Sequence, residues 1–168
     1  MGLVTLVVIV LLALGAAVAQ PAVAHCLSIH GVFPDIAVVS VLVAGLVMGP
    51  AEGIAIGLLV GLVGLTQSAH TALAGLLVSR CVVGLLAGQT AARVFANSIL
   101  VQLAAAFLAV MAADAVLFAF DADPEVGAWL LASLKKGLAS AAVAPLLFRV
   151  AVAAAKWEAG ERPRHAMR

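Results

Sequence analysis

Few residues in this chain are able to do chemistry, and most sit where chemistry is expensive. Arg80 and Asp114 stand alone inside long apolar runs. A charge at membrane depth costs about 2.5–3.5 kcal/mol on insertion scales and normally has a partner. Counted from the ends of their runs, Arg80 is about nine residues deep and Asp114 about six, a difference of under about 5 Å at 1.5 Å per residue. The expectation is an ion pair between them that fixes helix register, with Lys135 or Lys136 as a rival partner for Asp114. A substrate or proton site is the functional alternative. Asp35 follows Pro34 at the start of another apolar run, where an anion favours a helix N-terminus. His25, Cys26 and His30 have ligand chemistry, but their spacing fits no standard metal site and a fourth ligand is missing. Asp121 and Asp123 fall in an acidic turn and read as a helix cap and surface charge. No Ser/His/Asp set, phosphate-binding glycine loop, CxxC or HExxH is present. The expectation is therefore no catalytic residue, no cofactor and no metal.

The elements that position these residues follow from composition. Of 168 residues, 65% are hydrophobic and 10% charged, with mean hydropathy +1.25. A soluble domain is nearer half apolar and a quarter charged, so these polar groups are too few to cover a folded surface in water. A net charge of +1 gives nucleic acid nothing to recognise. Two cysteines, Cys26 and Cys81, make no disulfide framework. The class left is an all-α integral membrane protein, since each long apolar run must satisfy its own backbone in lipid and strand alternation is absent.

Charges and turn residues mark out six spans, at about 3–20, 35–48, 51–66, 71–89, 98–120 and 137–155. Residues 126–155 are too many for one span and contain Lys135 and Lys136. The reading is an interfacial helix at about 125–134, with Trp129 at headgroup depth, before the sixth span. Pro145 is expected to kink that span, and Arg149 to reach the inner surface. A polar tail follows at 156–168. Lys156, Arg162, Arg164 and Arg168 lie in that tail, and Arg93 lies in a loop on its side. By the positive-inside rule, both termini are cytoplasmic. Ala17-Val18-Ala19 and Ala22-Val23-Ala24 resemble signal-peptidase sites, but no basic region precedes them, so the first segment is read as a span. Gly53, Gly57 and Gly61 recur every four residues with Gly64 near the same face, which lets a helix approach closely. The expected use is packing inside the bundle, with a partner face as the alternative. Gly15 with Ala19, and Gly84 with Gly88, repeat the pattern weakly.

Several segments together resemble the rod shape-determining protein MreD family. Phe33-Pro34-Asp35 looks like the opening of that family's second span. Gly49-Pro50-Ala51-Glu52-Gly53 with Gly57, Gly61 and Gly64 resembles its loop and glycine-rich third helix. Ser79-Arg80 followed by Gly84-Leu85-Leu86-Ala87-Gly88 is similar to its fourth helix, and Ala144-Pro145-Leu146-Leu147-Phe148 to its last. Near the end of the third span, where family members commonly carry an acidic residue, this chain has Gln67. The resemblance implies a multi-pass bacterial inner-membrane scaffold of the cell-elongation machinery. Such a protein holds the transmembrane helix of MreC in a lateral groove, beside MreB, the RodA polymerase and its penicillin-binding transpeptidase. The six-helix architecture also resembles the substrate-specific subunits of energy-coupling-factor vitamin transporters. That resemblance implies the alternative function, with Arg80, Asp114, Trp129, Lys135 and Lys136 around a ligand and Ala13, Gly15, Ala17 and Ala19 facing a coupling subunit.

Overall fold

The computed structural model describes residues 3–26, 32–67, 73–90, 98–120 and 125–158. These residues form six helices: α1 (Leu3–Cys26), α2 (Ile36–Met48), α3 (Pro50–Gln67), α4 (Leu73–Gln89), α5 (Ile99–Phe120) and α6 (Val126–Glu158). Four of them, α1, α3, α5 and α6, are long and apolar enough to cross a membrane, while α2 and α4 are apolar but shorter. The outside of the bundle is as oily as the inside. Leu11, Leu100, Leu108, Leu138 and Leu146 are all more than 60% exposed. A water-soluble monomer does not display large aliphatic side chains all round its surface; a membrane-embedded one must.

Helices α2 to α5 begin and end within about two residues of the apolar segments read from the sequence. Two other bounds move. The first helix does not stop at Gln20 but runs through Pro21 to Cys26. The break expected between an interfacial helix and a sixth span is absent, and α6 is one helix of 33 residues, about 50 Å long at the α-helical rise. Lys135 and Lys136 therefore lie within a helix rather than ending one. Lys135 is exposed and Lys136 is turned inward among other charges. A lysine whose charge is matched by carboxylates no longer needs the water that a span end would provide.

The architecture is organised around α2, which packs against each of the other five helices. Every residue from Ala37 to Leu46 is buried. At 13 residues α2 is about 20 Å long, short of the roughly 30 Å hydrocarbon layer. A helix walled in by protein on all sides meets no lipid, so it need not match that thickness. A single residue, Gly49, links α2 to α3. Its φ of 108° and ψ of 178° lie in a region open essentially to glycine alone. Its N–H donates to the Gly45 carbonyl at 2.9 Å, and its own carbonyl accepts from the Gly53 N–H at 2.9 Å. Pro50 begins α3, where its missing N–H is no loss.

The glycines of α3 face α4. A Cβ on Gly53 would run into the Gly84 backbone and one on Gly57 into the Arg80 backbone, while one on Gly61 would lie 2.9 Å from a Leu77 methyl. Gly84 and Gly88 answer from α4, against Gly53 and Pro50. The Gly53/Gly57/Gly61 face is thus consumed inside the bundle, and Gly64 continues it against the Leu76 side chain. Gly45 on α2 also abuts Gly84 and Ala87, so the three helices meet almost backbone to backbone. Gly15 has open space around it, so its pairing with Ala19 serves no close approach among the described residues.

Candidate functional site: a buried charge quartet

The buried start of α2 poses a physical problem. The first N–H groups of a helix have no intrahelical partner, and in lipid no water replaces one. Each is met by a side chain. Asp35 is the N-cap, and its Oδ1 accepts from the Val38 N–H at 2.9 Å. Gln20 reaches over from α1, its Oε1 accepting from the N–H groups of Ile36 (3.0 Å) and Ala37 (3.4 Å). Its Nε2 donates to the Pro34 carbonyl at 2.9 Å. The Asp35 N–H donates to Ser140 Oγ on α6 at 2.8 Å, and that hydroxyl donates to the Lys136 carbonyl at 2.7 Å. Pro34 thus stands just outside α2, and Asp35 takes the cap position.

The other oxygen of Asp35 anchors the charges. Arg80 Nη2 donates to Asp35 Oδ2 at 3.0 Å, and Lys136 Nζ lies 3.2 Å from the same oxygen. Lys136 Nζ also donates to Asp114 Oδ1 at 2.8 Å. Two cations and two carboxylates alternate in a chain, Arg80–Asp35–Lys136–Asp114, drawn from α4, the α2 cap, α6 and α5. Asp35 is 2% exposed, Asp114 6% and Arg80 7%, so little solvent screens these pairs. One donor, Arg80 Nη1, is buried without a hydrogen-bond partner among the described residues.

This corrects the expected pairing. Arg80 and Asp114 do not meet. Arg80 turns to Asp35 and Asp114 to Lys136, its expected rival. The reason lies in depth. Counting along the sequence placed Asp35 at a surface, but α2 starts inside the bundle, level with the middle of α4, which brings its cap carboxylate to Arg80. Gln20 and Ser140 were missed altogether. Their signal was an amide and a hydroxyl in largely apolar stretches, each needing a polar partner that sequence does not name.

The remaining candidates fall elsewhere. His25 and Cys26 are exposed at the end of α1. His30, Arg93, Asp121, Asp123 and the tail from 159 onward lie outside the described residues. Among those described, no group of three His, Cys, Asp or Glu side chains stands close enough to hold a metal. Pro145 lies within α6, half-buried. Of the cavities in the bundle, one reaches the quartet and another lies between α4 and α5. One, of about 530 Å³, is lined by Phe33, Asp114, Phe118, Glu125, Trp129 and Lys136 among others. Arg80 and Lys135 do not line it. The second, of about 570 Å³, is a lateral groove between α4 and α5 floored by Leu42 and lined by Val83, Ala87, Ala105, Leu108 and Ala109. Its walls carry almost no polar surface.

Chemically the quartet can hold four helices in one register. Its members neutralise one another, and Ser140 spends its hydroxyl on backbone partners. The chain matches no protein-family model, no curated protein and no solved structure.

Proposed function

We propose that this chain is a non-enzymatic scaffold of the bacterial cell-elongation machinery, crossing the inner membrane six times with both termini in the cytoplasm. In this reading it holds the transmembrane helix of an MreC-type partner and works beside MreB, RodA and the penicillin-binding transpeptidase of peptidoglycan synthesis. The observation that carries the proposal is the lateral groove between α4 and α5. It is apolar, opens sideways, and is walled largely by alanine and leucine. In lipid such a surface has no hydrophobic drive of its own, so what favours a helix over an acyl chain there is close packing on small residues. The quartet keeps α4 and α5 in fixed relation, so the groove is preformed. The order of the Pro34-Asp35, Gly49-Pro50 and Pro145 segments supports the same family reading.

Affinity purification from mild detergent tests it. A bitopic MreC-type chain should co-purify with the intact protein, and substitution of Ala105 by Trp in the groove should release it while leaving the bundle folded. Depletion of the protein should round rod-shaped cells. Recovery of a transporter coupling subunit instead, with unchanged cell shape, would overturn the scaffold in favour of the vitamin-transporter subunit.

A further inference from the structure

Asp114 does two things at once. Its Oδ1 is held by Lys136, while Oδ2 receives no hydrogen bond from the described residues. The residue is 94% buried and lines the cavity beside the first turns of α6. Three aromatic rings share that lining: Phe33, Phe118 and Trp129. Phe118 and Trp129 stand against each other with centroids 4.6 Å apart at 34°. Glu125 adds a second carboxylate from the other end of the lining. Lys136 is the one cation there, and its ammonium is divided between Asp35 and Asp114. Counting the quartet as neutral, the cavity carries one net negative charge, from Glu125. Its volume of about 530 Å³ suits a small molecule.

A carboxylate oxygen without a donor, a second carboxylate and aromatic faces share one complement. Aromatic faces attract cations through the ring quadrupole, and a carboxylate oxygen makes its strongest hydrogen bond to a charged donor. An anion entering the same space would face two carboxylates and a lysine already committed. We propose that this cavity binds a primary ammonium group carried on an apolar body, with the nitrogen at Asp114 Oδ2 and the body against Phe118 and Trp129. The chemistry is shared by an ethanolamine lipid headgroup and by a water-soluble amine. The inference is independent of the scaffold reading and uses a different face of the bundle from the α4–α5 groove.

Trp129 reports on it directly, because the chain has two tryptophans and Trp157→Phe leaves Trp129 alone. The purified Trp157→Phe protein, in non-ionic detergent, is titrated with 2-phenylethylammonium and, separately, with 3-phenylpropionate. The amine should change Trp129 emission saturably and the acid should not. Glu125→Gln should weaken the amine several-fold. Ala132→Phe, which fills the cavity without touching a charge, should abolish the response while the melting temperature stays near that of the parent. The titration is then repeated in phosphatidylcholine and phosphatidylethanolamine nanodiscs. Weaker amine binding in the second membrane identifies the headgroup as occupant, and equal binding identifies a soluble amine. No saturable response to the amine, or equal binding of the acid, overturns the proposal.

Discussion

Asp35, Arg80, Lys136 and Asp114 sum to zero charge, and that neutrality is what lets them lie inside an apolar bundle. Breaking a buried pair is costly chiefly because it strands the partner, at about 3–5 kcal/mol. Asp114→Leu leaves the quartet one charge positive and Lys136→Met leaves it one charge negative. Each should lower the melting temperature in detergent sharply. The double variant restores neutrality with Arg80–Asp35 intact and should recover most of the loss; equal or greater loss in the double variant would show that the charges are not coupled. Gln20→Ala should cost about 1–3 kcal/mol, since it leaves the Ile36 and Ala37 N–H groups buried and unmet, again read from thermal unfolding. The presence of buried charges was legible in the sequence because Arg80 and Asp114 interrupt apolar runs. Lys136 was in view only as a rival partner for Asp114, and Asp35 as the partner of Arg80 was not, because pairing depends on where α2 begins in three dimensions and a carboxylate after a proline looks like an ordinary surface cap.

The helices themselves were the most legible part. Apolar runs of span length, punctuated by Gly49-Pro50 and by the polar stretches, set the bounds of α2 to α5 almost directly. The glycine stripe told of close approach but not of its target, which the structure places on α4. Gly53→Val should therefore strain the α3–α4 contact and cost at least about 1–3 kcal/mol of overpacking. Gly15→Ala, which has empty space around it, should be neutral or slightly stabilising by helix propensity. Comparing the two melting temperatures separates packing glycines from incidental ones. Gly49→Ala should also destabilise, by about 1–3 kcal/mol, because its backbone lies where only glycine is at ease. The α6 reading failed for a definite reason. Two adjacent lysines look like the end of a membrane span, yet successive residues on a helix point about 100° apart. One lysine can face outward while its neighbour enters the core.

At the scale of the whole molecule, five helices surround one buried central helix, and exposed leucines cover the outside. A membrane setting follows from that surface. How often the chain crosses is proposed from its apolar runs, and the direction from the positions of Lys and Arg along the sequence. That layout carries the functional proposal. In that proposed layout the tail is cytoplasmic and residues 121–124 are on the outer side of the membrane. The most direct test is a pair of reporter fusions in intact cells, one after Arg168 and one within residues 121–124, each using an enzyme active only in the periplasm and a fluorophore that matures only in the cytoplasm. The account predicts a fluorescent tail, an active periplasmic enzyme at the 121–124 site, and all of the protein in the membrane fraction. A tail fusion active in the periplasm, or protein recovered free of membrane, would contradict it.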